Sequence, residues 1–339
     1  MRPVAASARR REVGRGERVL PGLWRLRLPL TLPGVPHVNA WAIAAGSGVV
    51  LIDCGMHEPG SMAQLETAMA QVGLRIQQVS RLVITHAHLD HWGQAATVIE
   101  RTGCPLWMSP HHQHATSEDA VDPEQALARR LEIARQSGVP PAALARLQEQ
   151  GKDMPAGIAA IVLPDVELVD GVVIETDLGP WTVYETPGHA PSHVCLYQPE
   201  RRLLISGDHV LGRISLFFEY GWTPDPIDEF LRSLDVVAGL DARLCMSGHG
   251  RTFTDVRAHI DATRALVAAR LDATLAAAGA RPATALEYAP AVFGEPLEPA
   301  TRWRLYELLC YLHHLEREGA IVRGMDSGGI ERWLAQKQP

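Results

Sequence analysis

A chain of 339 residues exceeds the usual single-domain size, so one large domain with a small appendage is the expected plan. The hydrophobic share of 46% and charged share of 21% are those of a packed globule, and no run approaches the ~18 consecutive apolar residues of a membrane span. The formal charge of −7 argues against a surface that tracks a phosphate backbone as a whole and leaves room only for a local basic patch. Cys54, Cys104, Cys195, Cys245 and Cys310 are odd in number, scattered, and form no Cys-x-x-Cys pair. They read as buried thiols of a reducing, cytoplasmic compartment. Only Lys152 and Lys337 of the basic residues are lysine, so an anionic group would be held by arginine, a helix N-terminus or a metal.

Residues 1–18 carry Arg2, Arg9, Arg10, Arg11, Arg15 and Arg18 with no apolar h-region. They are expected to be a flexible extension, with an organellar transit peptide as the alternative and a secretory signal set aside. Strand signals start at Leu20. The segments 24–28, 38–43 and 49–52, with Gly46-Ser47-Gly48 before the last, predict a β-meander. Asp53 ends that strand in Ile52-Asp53-Cys54-Gly55, where its local reading is a turn-former ahead of glycine. Met62, Leu65, Met69 and Val72 have helical spacing over 61–72 and lead to a strand over 81–85.

That β-α-β unit delivers Thr85-His86-Ala87-His88-Leu89-Asp90-His91-Trp92-Gly93, which packs four potential metal ligands into six residues. Three imidazoles and a carboxylate on a loop leaving a buried strand suit a borderline cation such as zinc. His86 and His88, at i and i+2, point the same way and can share one ion, whereas Asp90 and His91 face a neighbouring position. The stretch therefore offers two half-built sites. Trp92 is expected to pack beside them. A helix over 94–101, closed by Gly103, precedes a strand over 105–108.

The span 110–157 lacks strand signals and holds two helical pieces. Asp122-Pro123-Glu124-Gln125 opens the first with an N-cap and Pro at N1, and Leu127, Leu131 and Ala134 follow before Gly138. The second runs over 141–150. This insertion is a candidate lid that would set substrate choice more than chemistry. His111, His112 and His114 at its start are expected on the surface or supporting the site. Strands over 167–169, 172–174, 181–184, 194–197 and 203–205 form a second β-rich half. Three short motifs follow apolar runs: Thr186-Pro187-Gly188-His189, Ser206-Gly207-Asp208-His209 and Ser247-Gly248-His249-Gly250. A helix begins at Asp225-Pro226-Ile227-Asp228, with Phe230, Leu231, Leu234 and Val237 on one face. Beyond 257 the chain is nearly all helix, over 260–278, 283–293 and 299–319, and its end at 315–322 looks like a helix running into a β-wing.

The His86 cluster followed by those three motifs, in that order, resembles the metallo-β-lactamase superfamily, and within it the glyoxalase II-like hydrolases, over about residues 20 to 255. The resemblance implies an α+β fold: a four-layer αβ/βα sandwich with the site between the sheets. Residues 1–18 would be the extension, 19–256 the catalytic domain with the 110–157 lid, and 257–339 a small helical, winged-helix-like tail. Residue by residue, it implies that His86, His88 and His189 hold one metal, that Asp90, His91 and His249 hold the second, and that Asp208 bridges them. The expected cofactors are two Zn²⁺, with Fe or Mn as substitutes. By the same resemblance Asp53 lies just behind the ligands, where it would hold one of them by a hydrogen bond. His193 and His209 flank ligands without matching a ligand position.

The chemistry so implied is hydrolysis of a thioester, ester or lactone of a small-molecule acyl substrate, with Asp208 in the bridge and Asp90 as the proton carrier. A metal-dependent phosphodiesterase or ribonuclease is the alternative, and a non-catalytic metal-binding regulatory protein a second. The tail is expected to brace the catalytic domain or a homodimer. Glu316 and Glu318 oppose nucleic acid as its partner, although Arg302, Arg304 and Arg323 favour it.

Overall fold

The computed structural model describes residues 13–32, 34–117, 122–152, 157–279, 281–297 and 302–336. Two sheets face each other. The first has seven strands in chain order: β1 (Arg15–Leu20), β2 (Leu23–Pro29), β3 (His37–Ala45), β4 (Gly48–Ile52), β5 (Val79–Val83), β6 (Leu106–Met108) and β7 (Val166–Glu167). Pairing is antiparallel from β1 to β4 and parallel from β4 to β7. The second sheet holds β8 (Val173–Ile174), β9 (Trp181–Glu185), β10 (Val194–Gln198), β11 (Leu203–Gly207) and β12 (Leu244–Ser247), in the order β12-β11-β10-β9-β8.

Both faces of the central strands are covered, which is why their sequences are continuous apolar runs rather than alternations. Trp41, Ile43, Ile52 and Val83 meet Trp181, Leu196, Ile205 and Met246 between the sheets. Outside the first sheet lie α1 (Ser61–Gln71), the single turn α2 (Leu89–Trp92) and α3 (Ala95–Thr102), which bury Leu65, Met69, Trp92 and Val98. The insertion contributes α4 (Gln113–Thr116), α5 (Pro123–Gln136) and α6 (Pro141–Lys152). Outside the second sheet lie α7 (Pro226–Gly239) and α8 (Val256–Ala278), followed by α9 (Ala285–Phe293), α10 (Arg302–Arg317) and a hairpin of β13 (Ile321–Met325) and β14 (Glu331–Ala335). The result is the four-layer αβ/βα sandwich that the resemblance implies.

Two boundaries differ from expectation. Residues 1–12 of the expected extension lie outside the described residues, but from Arg15 the chain is strand β1, paired with β2. Its arginines point from an edge strand, so no apolar alternation betrays it. Gly14 and Gly16 let this segment run against α1, because a Cβ at either position would overlap the carbonyl of Gln64 or Ala68. The strand expected over 81–85 is β5, displaced to Val79–Val83, because the Thr85 N–H bonds the Asp53 carboxylate instead of a neighbouring strand.

The insertion and the C-terminal segment share a core. Asp122 caps α5 by accepting from Glu124 N and Gln125 N, as its sequence predicts. The helix then packs Ala134 with Ala285, Leu308 and Leu312. Leu286 N donates to Ser137 O at 3.1 Å across this junction. The C-terminal segment also grips the loop between β11 and α7: His313 Nε2 lies 2.9 Å from Tyr220 Oη, and His314 Nδ1 lies 3.0 Å from an Asp225 carboxylate oxygen. All five cysteines are free and buried. Among the described residues no helix is long and apolar enough to cross a membrane.

Leu308 is fully buried in the shared core. Leu308→Ala is expected to cost ~2–5 kcal/mol in urea unfolding; a change below ~1 kcal/mol would contradict the packing described.

Candidate metal centre

The chain carries the cluster out of β5 on a loop whose backbone is fixed by one carboxylate. Asp53 directly follows β4, the parallel neighbour of β5, with φ of +60° and 1% exposure. Its Oδ1 accepts the Thr85 N–H at 2.8 Å, and its Oδ2 accepts the Thr85 hydroxyl at 2.9 Å and the His91 Nδ1–H at 2.8 Å. With its hydroxyl proton given to Asp53, Thr85 Oγ1 is left to accept the His86 Nδ1–H at 3.1 Å. The supporting hydrogen bond expected of Asp53 is therefore present.

The other imidazoles are aimed the same way. His189 Nδ1 donates to Phe217 O at 3.1 Å and His249 Nδ1 to His37 O at 2.8 Å. With Nδ1 donating outward in His86, His91, His189 and His249, the Nε2 atoms of all four face inward. His88 is reversed: its Nε2 lies 2.7 Å from Glu219 Oε2 and its Nδ1 lies 3.1 Å from His189 Nε2.

The structure brings all seven expected residues together. One ligand atom each from His86, His88 and His189 lies within 4.8 Å of the others, and so do those of Asp90, His91 and His249. Asp208 stands between the two groups. Its Oδ2 is 3.1 Å from His249 Nε2 and 3.8 Å from His189 Nε2, and its Oδ1 is 3.5 Å from His91 Nε2. Asp90 Oδ2 approaches His249 Nε2 at 3.2 Å. The side chains of His88, Asp90, Asp208 and His249 retain 10–19% exposure, so the cluster opens to solvent along this edge, while His86 and His91 are sealed.

The donor set fits divalent metal. His86 Nε2, His91 Nε2 and Asp208 Oδ1 are buried without a hydrogen-bond partner. Such orphans cost ~1–3 kcal/mol each. His88 Nδ1 and His189 Nε2 converge at 3.1 Å, while the other nitrogen of each ring is bonded outward, an arrangement that suits a shared cation. Burial, reinforced by the neighbouring imidazoles, lowers His189 to about 3 and pushes His86 well down, so both offer neutral nitrogen. Burial opposes charge on His249 too, but Asp208 and Asp90 outweigh it and raise the group to about 10. Asp90 falls to about 2 because His91 and His249 overcome the burial that would raise it.

Glycine makes the convergence sterically possible. A methyl on Gly248 would overlap Asp208 Oδ1 and stand 2.6 Å from His91 Cε1. The His249 loop is held from behind by two buried polar residues: Arg25 donates from NH2 to Gly250 O at 2.6 Å and from Nε to Asn39 Oδ1 at 2.8 Å, and Asn39 Nδ2 donates to Ser247 O at 2.8 Å. Their signal in the sequence is a polar residue inside an apolar strand, Arg25 beside Leu26 and Asn39 beside Val38. Glu219 had no such signal.

The remaining histidines take supporting places. His193 bridges Thr186 Oγ1 at 2.8 Å and the Asp208 N–H at 3.1 Å. His209 is buried against the Phe230 ring. His111 is exposed and His112 bonds Thr116, whereas His114 is buried with Nε2 2.8 Å from Ser192 Oγ. Trp92 points into the core between sheet and helices.

The sequence profile of the metallo-beta-lactamase superfamily matches residues 33–249, and the chain belongs to that superfamily. The Bacillus subtilis (strain 168) protein called probable metallo-hydrolase YqjP is 24% identical over 300 residues, covering 83% of this chain and 88% of that one. A beta-lactamase domain protein from Burkholderia ambifaria superposes with a TM-score of 0.81 at 27% identity, over 95% of this chain and 94% of its own. A metallo-beta-lactamase family protein from Thermus thermophilus gives a TM-score of 0.79 at 28% identity, over 94% and 100%. Membership implies a divalent-metal site, for which the His/Asp cluster is the candidate.

Gly248→Ala is expected to displace the Asp208 carboxylate and lower zinc affinity at least ~10-fold, as loss of a supporting contact to a ligand does; titration against a chromogenic chelator measures it. In the metal-free protein at pH 7, His249 carries a proton that bound metal must expel. Zinc binding is therefore expected to release protons and to tighten with rising pH, which calorimetry in buffers of different ionisation enthalpy reads directly.

Proposed function

We propose that the protein is a binuclear metallo-hydrolase acting on a thioester, ester or lactone of a small acyl substrate. In this reading His86, His88 and His189 hold one metal, Asp90, His91 and His249 hold the other, and Asp208 bridges. Zinc is the first choice, with iron or manganese compatible with the same ligands. The single observation that carries the reading is the convergence of seven donors, three of whose atoms are buried with no other partner. Bound there, divalent metal supplies Lewis acidity and a water acidified toward a pKa of ~7.

The chain's own groups divide the remaining work. Asp208, at the seam of the two groups, fixes their separation. Asp90 stands at the open edge with 14% of its side chain exposed, where it can pass a proton to a departing group. A thiolate needs no such proton, so thioesters are the easiest substrates for this arrangement. Two relatives support that choice: a Bos taurus protein named acyl-coenzyme A thioesterase MBLAC2 is 25% identical over 227 residues, and an Aspergillus fumigatus protein named atrochrysone carboxyl ACP thioesterase is 22% identical over 221. The aspartate-containing ligand set is what favours a glyoxalase II-like enzyme over a lactamase. We read the C-terminal helices and hairpin as a winged-helix-like brace. Arg323 pairs with Glu316 and Glu331, and Arg304 pairs with Glu295, which supports the bracing role over a phosphate-binding one.

The test is a rate panel on zinc-loaded protein with an acyl thioester, an aryl ester, a lactone and bis-nitrophenyl phosphate, run beside His88→Ala and Asp208→Ala. Carbonyl substrates are expected to turn over fastest, the thioester foremost. Both variants should lose at least ~10²-fold, the scale of losing a group on which the transition state depends. Turnover of the phosphodiester alone, or full activity in Asp208→Ala, would sink the proposal.

A further inference from the structure

The segment 217–219, in the loop between β11 and α7, belongs to no motif that points to a metal, yet it reaches two of the three imidazoles grouped around His86. Phe217 O accepts the His189 Nδ1–H at 3.1 Å, and Glu219 N donates to His189 O at 3.1 Å. Gripped at both its ring and its backbone, His189 sets where the Glu219 side chain emerges. That side chain places Oε2 2.7 Å from His88 Nε2.

His88 is the one imidazole of the cluster that faces inward with Nδ1. Left to itself a neutral imidazole can carry its proton on either nitrogen, and the wrong tautomer would aim an N–H at the metal position. A carboxylate at 2.7 Å can only accept, so in the neutral ring it holds the proton on Nε2 and leaves the lone pair on Nδ1. Both side chains of the pair are only 19% exposed, so water competes weakly. His114 and Glu219 also stand close enough to His88 to form a ligand trio of their own. However, the His114 Nε2 is engaged by Ser192 Oγ, which also accepts the Ala87 N–H at 2.9 Å.

We propose that Glu219 is a positioning residue for the metal centre, holding His88 in the Nε2–H tautomer so that Nδ1 is presented to the metal, with the 217–219 segment orienting His88 and His189 together. This rests on the proposed ligand assignment. The expected effect of removing such a partner is a ~10- to 100-fold loss of affinity at one of the two sites.

The experiment is zinc binding by wild type, Glu219→Ala and Glu219→Gln, titrated against chelators of graded affinity, with thermal unfolding of each metal-free protein recorded beside it. Wild type is expected to bind two equivalents. Glu219→Ala should lose ~10–100-fold at one site only, while Glu219→Gln, whose amide oxygen can still accept the Nε2–H, should recover most of that loss. Affinities within about twofold of wild type in Glu219→Ala would overturn the inference. So would a glutamine variant as weak as the alanine one, which would make Glu219 a ligand or a charge rather than an acceptor. If Glu219→Ala does not fold, Glu219→Gln decides: near-wild-type affinity supports the hydrogen-bond role, and a roughly tenfold loss with intact metal-free stability overturns it. A wild type that binds no zinc would instead strike the functional reading itself.

Discussion

The constraint on which the rest of the structure depends is the set of inward-facing polar atoms that the protein itself leaves unpaired. Three buried atoms, on His86, His91 and Asp208, have no hydrogen-bond partner, although a buried polar atom normally has one. Their convergence on one spot is what sets them apart, and a divalent cation is a species whose coordination matches imidazole nitrogen and carboxylate oxygen together. The outward nitrogens, by contrast, are all committed, to Asp53, Thr85, His37 O, Phe217 O and Glu219. The protein thus uses its outward hydrogen bonds for orientation and turns the remaining donor atoms toward one another on the inner face.

The sandwich supplies that orientation with few residues. Strands β4, β5, β11 and β12 end at the same edge of the two sheets, and each delivers a polar residue just past its last apolar one: Asp53, the His86 loop, Asp208 and His249. The strands are packed on both faces, which fixes the points from which the loops start. Glycine at 248 admits the close approach of Asp208 and His91. Farther out, the C-terminal helices hold Tyr220 and Asp225, which follow Phe217 and Glu219 in the same loop, so the appended segment is continuous with the metal centre through hydrogen bonds.

Much of the site was legible because its signals are local. Four donors in six residues and three glycine-flanked motifs behind apolar runs require no tertiary knowledge to notice, whereas the apolar runs alone show mixed α and β and the two-sheet sandwich came from the family resemblance. What escaped depends on contacts between distant residues. Glu219 meets His88 across 131 residues of chain, and Arg25 reaches Gly250 across 225. Neither partnership leaves a period or a motif in the sequence. Strand β1 was hidden because it lies at the sheet edge and its arginines face outward, and the union of insertion and tail was hidden because both read as independent amphipathic helices. The end of β5 was misplaced for the opposite reason: Thr85 has the character of a strand residue, but Asp53 takes its N–H.

The most direct test of the account is anomalous diffraction from crystals of the zinc-loaded protein. Two peaks per chain are expected, one among His86, His88 and His189 and one among Asp90, His91 and His249, with the Asp208 carboxylate between them. A single peak, or a peak centred on His114 and Glu219 instead, would contradict it.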